Sequence, residues 1–359
     1  MKYDCKISAL QFFLMLFLSR IVVIFSLNAQ TVGEGNFLDH ILSSIFLGLI
    51  LLLFAVPFYR LDRRFPNQSL PTIAQNIFGN TGKTVAILYI LYFIYMNIIS
   101  LSLFLTLVVN TMNPAASRWS IAVVLIAVAL FGAVKGIETI SRASICIFFL
   151  FISGFAIIFL ALVPYFRIDY AEPLLSDGVK NCIRGFLFFF SRCPSLAELA
   201  LLLPYVRKRK YINFTCWNVG VTLFVSVLLI FVVCTLGKYS YFQIFPVYTL
   251  STMAEIAGIQ RLDALLIGLS MMTLVVRLSC GLFAIKDCFS ILTKQKHNIF
   301  QTLLPAFITL CASLWITEDS GRTGLLFRII YVLPFTIFVS VLIPIFVWLS
   351  SYLKRKRPV

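Results

Sequence analysis

The chain has 359 residues, of which 60% are hydrophobic and 12% charged, and its mean hydropathy is +0.98. A water-soluble chain carries about a quarter charged residues, so a soluble globular fold is excluded. The net charge of +16 would suit a nucleic acid, but the basic residues are distributed as membrane topology demands, which argues against that class.

Apolar runs near the length that crosses about 30 Å of hydrocarbon recur from end to end. In chain order they predict ten spans: 7–27, 39–58, 84–109, 119–134, 143–164, 181–203, 212–236, 262–285, 299–316 and 329–352. The first follows "MKYDCK" as a secretion signal would. It is long, contains Arg20 and lacks a small-residue cleavage site, so it reads as a retained span. The fourth is the shortest. So little chain remains outside the spans that residues 1–359 form one polytopic, all-α membrane domain.

Loops numbered alternately from a cytoplasmic N-terminus place 19 basic residues inside, among them Lys2, Lys6, Arg60, Arg63, Arg64, Arg207 to Lys210, Lys286, Lys294, Lys296 and 354–357. Eight fall outside: Arg118, Arg167, Lys180, Arg184, Lys238, Arg261, Arg322 and Arg328. This asymmetry predicts cytoplasmic termini. The basic runs are juxtamembrane anchors facing the lipid bilayer, some of it anionic.

Enzyme and metal motifs fail on spacing. The nine cysteines are scattered singly, without a CxxC pair. "GNTGKT" (79–84) resembles a phosphate-binding loop, but Ile77 stands where the first glycine is required. His40 and His297 are far apart, and "NFT" (213–215) lies on the side assigned to the cytoplasm. Neither catalysis nor a cofactor is expected.

What remains is polarity inside the membrane. Arg20, Arg192, Arg277 and Glu198 fall within spans, where an unsatisfied charge costs several kcal/mol. The sixth span reads "FFFSRCPSLAELALLLP" (188–204), and Pro194 is expected to break it near mid-membrane, with Ser191 and Ser195 capping the freed backbone. Such backbone is tolerated only where buried in protein or facing a cavity. Arg20 and Arg192 would clamp a carboxylate between them, with Glu198 receiving an ammonium or orienting Arg192. Tyr95 and Asn97, in "YFIYMNIIS" (92–100), would complete a polar wall. For Arg277 the plainer reading is a snorkelling or interhelical role.

Ser19-Arg20 and Ser191-Arg192 stand 172 residues apart, at similar depth in spans one and six, which cross in opposite directions. Ten spans then divide into two inverted halves, about 7–164 and 181–352, as in transporters that bind a ligand where the first helix of each half is broken.

The segment "FPVYTLSTMAEIAGIQRLDALLIGL" (245–269), with weaker echoes in "KISALQ" (6–11), "SLPTIAQNIFGNTGK" (69–83) and Glu198 followed by "LLLP" (201–204), resembles the permease-like B subunits of bacterial spore nutrient-germinant receptors. These belong to the amino acid–polyamine–organocation superfamily. Gln260 stands where that family usually has an acidic residue. The resemblance implies a five-plus-five inverted-repeat fold with broken helices one and six. It also implies a nutrient, commonly an amino acid, bound between them, partner A-type and lipid-anchored C-type subunits, and the inner membrane of a spore. One departure is plain: the family's first span often has glycine near its break, whereas "FLSRIVVIFSL" has neither glycine nor proline. Three functions stay open: a germinant sensor signalling through partners, an autonomous secondary amino-acid transporter, or a scaffold that no longer binds.

Overall fold

The computed structural model describes residues 7–25, 37–111, 117–171, 173, 175–176, 178–255, 262–293 and 299–353. Lys2, Lys6, Gln260, Arg261, Lys294, Lys296, His297 and the 354–357 run lie outside them, as does the middle of the 245–269 segment.

The chain is an all-α membrane protein. Its helices are α1 (Ala9–Phe25), α2 (Asp39–Arg64), the short α3 (Leu70–Phe78), α4 (Lys83–Thr111), α5 (Arg118–Lys135) and α6 (Ile137–Leu162) in the first half. The second half holds α7 (Val179–Ser191), α8 (Ser195–Leu202), α9 (Tyr211–Leu236), the short α10 (Pro246–Thr252), α11 (Asp263–Thr293), α12 (Phe300–Thr317), the short α13 (Ser320–Leu326), α14 (Ile329–Ile337) and α15 (Ile343–Leu353). Among the described residues nine helical stretches are long and apolar enough to span a bilayer, and α1 is a shorter apolar helix. Every expected span therefore has its helix.

Two expectations are corrected. Span one is continuous through Ser19 and Arg20, because a run of Leu, Ile, Val and Phe offers no residue that frees its own backbone. Span eight does not end at 285 but continues as helix to Thr293. Lys286 is consequently not a loop residue: it is buried, and its Nζ donates to the carbonyls of Ala133 and Val134 at 3.4 and 3.2 Å, capping the C-terminus of α5.

Burial separates inner from outer helices. The apolar window of the sixth span is 89% buried and that of the eighth 72%, against 28% and 33% for the fourth and fifth. The outer helices present Val124, Phe131, Phe149 and Leu160 outward, as lipid contact requires. The inner ones meet each other through small residues: Gly281 of α11 sits so close to α4 that an added Cβ would lie 2.3 Å from Asn97 Oδ1. Helix α11 runs along α4, α1 and α8, α7 packs on α2 and α14, and the break between α7 and α8 lies among these inner helices.

At one end the start of α1 is tied to the chain beyond α8 by main-chain hydrogen bonds. The Ile7 N–H donates to Tyr205 O at 3.2 Å and the Arg207 N–H to Ile7 O at 2.8 Å, a parallel bridge that is single among the described residues. Span ten carries a π turn over Phe338–Leu342, where the Tyr89 hydroxyl of α4 donates to Val339 O at 3.1 Å.

Candidate functional site

Proline has no N–H, so a helix running through Pro194 would leave the carbonyl of Phe190 unpaired. The chain resolves this by stopping α7 at Ser191, and the Cys193 N–H takes that carbonyl at 3.2 Å in a tighter turn. Pro194 then precedes α8, whose first full-turn bond runs from the Glu198 N–H to Pro194 O at 2.8 Å. The expected break in span six is therefore present, at Arg192–Pro194.

In hydrocarbon each freed carbonyl needs a donor, and side chains supply them. The Ser191 hydroxyl donates to Phe188 O at 2.8 Å, the Thr336 hydroxyl of α14 to Ser191 O at 2.8 Å, and Arg277 Nη2 to Arg192 O at 3.3 Å. Ser191 thus caps a carbonyl as expected, but Ser195 does not: its Oγ accepts from Cys193 Sγ at 3.5 Å, and the N-terminus of α8 has no side-chain cap.

Arg277 does more than close the break. Its Nη1 donates to Ser19 O at 3.0 Å, so one guanidinium joins the backbone of both Ser-Arg motifs. It is 3% exposed, which makes it an interhelical staple and rules out snorkelling to the headgroups.

Glu198 Oε1 accepts from the Ser19 hydroxyl at 2.6 Å, and its Oε2 has no partner. Arg192 donates from Nη2 to Phe327 O at 2.8 Å, with its guanidinium 4.0 Å from the centre of the Phe188 ring, while Nε and Nη1 are unpaired. No ion pair within 4 Å joins Glu198 to an arginine among the described residues, whereas Arg142–Glu138, Arg209–Asp62 and Arg322–Asp319 do form such pairs. The expectation that Glu198 orients Arg192 is corrected accordingly: a serine from span one holds the carboxylate instead.

The two-arginine clamp is corrected as well. Arg20 turns to α9, where Nη1 reaches Asn218 Oδ1 at 3.5 Å and the guanidinium lies 5.7 Å from the Trp217 ring centre. Asn218 in turn donates to Gly48 O at 3.0 Å. Arg20 borders a cavity of about 20 Å³ with Ser44, Phe189 and Cys193, room for about one water. Nor do Tyr95 and Asn97 make one wall, since residues two apart on a helix do not share a face. Tyr95 stands edge-on to Phe335 and is an electrostatic neighbour of Arg192, whereas Asn97 abuts Gly281. The segment at the break is thus a closed, packed polar interior and not an open cavity.

A family model described as "Spore germination protein" matches residues 6–321. The chain belongs to that family. It is also similar to spore germination protein YndE of Bacillus subtilis strain 168, with 24% identity over 144 residues, a match spanning 40% of this chain and 40% of that relative. The protein is therefore a germination-related, permease-like membrane protein.

Several residues that shape this germination protein's interior were missed in the sequence. Thr336 and Ser340 sit in "VLPFTIFVSVLIP", and Tyr89 and Tyr92 in the third span; Ser340 Oγ donates to Tyr92 Oη at 3.5 Å. A lone hydroxyl in an apolar run is common, and nothing in the sequence says which carbonyl it faces. Asn218 and Trp217, in the seventh span, were missed as well.

Proposed function

We propose that this chain binds a small nutrient bearing a carboxylate, most simply an amino acid, at the break of span six, and that binding is signalled to A-type and lipid-anchored C-type partner subunits to trigger germination at the inner spore membrane. The observation that carries the reading is a pair of unfinished buried charges. Arg192 is 1% exposed with two of its three nitrogens unpaired, and Glu198 is 1% exposed with one oxygen unpaired. Buried charges without partners cost several kcal/mol unless something completes them. A carboxylate would complete Arg192 and gain from the uncapped N-terminus of α8. An ammonium would complete Glu198.

Because the site is closed, a nutrient enters only as the surrounding helices part. Ligand binding then has a conformational consequence that partners can read. The binding test is a screen of amino acids on purified protein by thermal shift, comparing wild type with Arg192→Gln. An amino acid that stabilises the wild type and leaves Arg192→Gln unmoved supports the reading. Equal stabilisation of both, or uptake of the amino acid by the protein reconstituted alone with no need of partners, overturns binding at Arg192 or the sensor role respectively.

A further inference from the structure

At the end of α2, on the face that the charge distribution assigns to the cytoplasm, Arg60, Arg63 and Arg64 converge with Tyr352 of α15 around an open pocket of about 470 Å³. We propose that this pocket is a binding site for the phosphodiester headgroup of an anionic phospholipid. Three guanidinium groups around one space repel each other unless an anion lies between them. The acid nearest in sequence, Asp62, pairs with Arg209 at 2.9 Å, and no carboxylate lines the pocket among the described residues.

The arginines are also held ready. Arg60 lies 5.2 Å from the Trp348 ring centre and Arg64 5.1 Å from that of Tyr352, and Arg64 Nη1 donates to Ser351 Oγ at 3.2 Å. Cation–π contact and a hydrogen bond fix two side chains that would otherwise sample many rotamers, so less entropy is lost on binding. Favourable placement at a helix C-terminus accounts for Arg63 and Arg64 in the last turn of α2, but not for Arg60 being drawn to the same space.

The occupant is a lipid because of what borders the pocket. Tyr352, which lines it, is one of the amphipathic residues that settle at headgroup level. On the same two helices Leu53, Phe346, Leu349 and Leu353 are exposed, the mark of a face toward acyl chains. A pocket of basic residues between helix ends at that depth suits an acidic headgroup.

The test uses full-length protein stripped of native lipid, titrated with phosphatidylglycerol or phosphatidylcholine, with bound lipid counted by native mass spectrometry. Phosphatidylglycerol should bind in preference, and each Arg→Gln change should weaken it about fivefold. The exposed pair Lys135→Gln/Arg142→Gln, which lies in no basic run, should leave binding unchanged. Arg63 holds no ring among the described residues, so Arg63→Gln serves if the triple variant does not fold, and Arg63→Lys should recover most of its loss. Equal binding of phosphatidylcholine, an unchanged triple variant, or an equal loss in the Lys135/Arg142 variant would overturn the proposal. So would displacement of the lipid by inorganic phosphate at matched concentration, which would make this a site for a soluble anion.

Discussion

Replacing Arg277 by methionine keeps a long, unbranched side chain in α11 and removes both donors that join Ser19 O to Arg192 O at 3.0 and 3.3 Å. A hydrogen bond to a charged group contributes about 1.5–3 kcal/mol, and a carbonyl left buried without a donor costs about as much. Ser19 lies inside a continuous helix, so its carbonyl retains its intrahelical donor and loses only the second bond. Arg192 O lies in the break and has no such reserve. The expected loss of unfolding free energy is therefore about 2–4 kcal/mol, nearer a single complete bond than two. Arg277→Lys should restore part of this, since an ammonium reaches one carbonyl but lacks the fork that spans both. Detergent-solubilised protein, unfolded by heating or by titrated denaturing detergent, gives the measurement. Arg277→Met with wild-type stability would refute the staple; unchanged stability with a lost germination response would make Arg277 a ligand contact instead.

Other substitutions probe neighbouring links. Ser19→Ala removes the 2.6 Å bond to Glu198 and should cost about 1.5–3 kcal/mol; adding Glu198→Gln should recover most of it, and additive losses would deny the contact. Gly281→Ala would drive a Cβ to 2.3 Å from Asn97 Oδ1 and should cost about 1–3 kcal/mol; the double variant with Asn97→Ala should be near wild type, while an unrelieved loss would place the clash elsewhere. Gly82→Ala meets the backbone carbonyl of Ala74 at 2.3 Å, which cannot swing aside, so folded protein in the membrane should fall sharply; normal abundance would refute that packing of α3. For topology, single cysteines at 207–210 and at 318–322 should label from opposite sides of the membrane, and labelling from one side would sink the assignment of cytoplasmic termini.

The sequence made the ten spans legible because hydrocarbon admits few solutions: a 20-residue apolar run is a helix whatever its neighbours. It also showed the break, since Pro194 acts through its own backbone. Partners were harder to read. Arg20 and Arg192 share a motif and a depth, yet one turns to Asn218 and the other to Phe327 O, because a long side chain follows its rotamer and the neighbour that rotamer meets. Arg277 was a binding candidate whose plainer reading, from its place nearer the cytoplasmic end of its span, was a snorkelling or interhelical role; only the packing of α11 on α1 and α8 gives it two carbonyls. The first-span break expected from resemblance failed on local chemistry, the absence of any glycine or proline there.

The main-chain bridge between Ile7 and Tyr205–Arg207 constrains how this molecule can open. Two main-chain hydrogen bonds do not relax by a change of rotamer, so at that end spans one and six travel together. Midway, the joints are side chains, Arg277 to the two carbonyls and the Ser19 hydroxyl to Glu198, and these yield to turns about side-chain bonds. Beyond it, among the described residues, no main-chain bond ties α1 to α7. Spans one and six are therefore bound like the covers of a book, with the spine at Ile7, a clasp at Arg277 and the free edge at the opposite membrane face. Separation widens with distance from the spine, so access to the Arg192 region is gained from the side of Asp39 and Asn181.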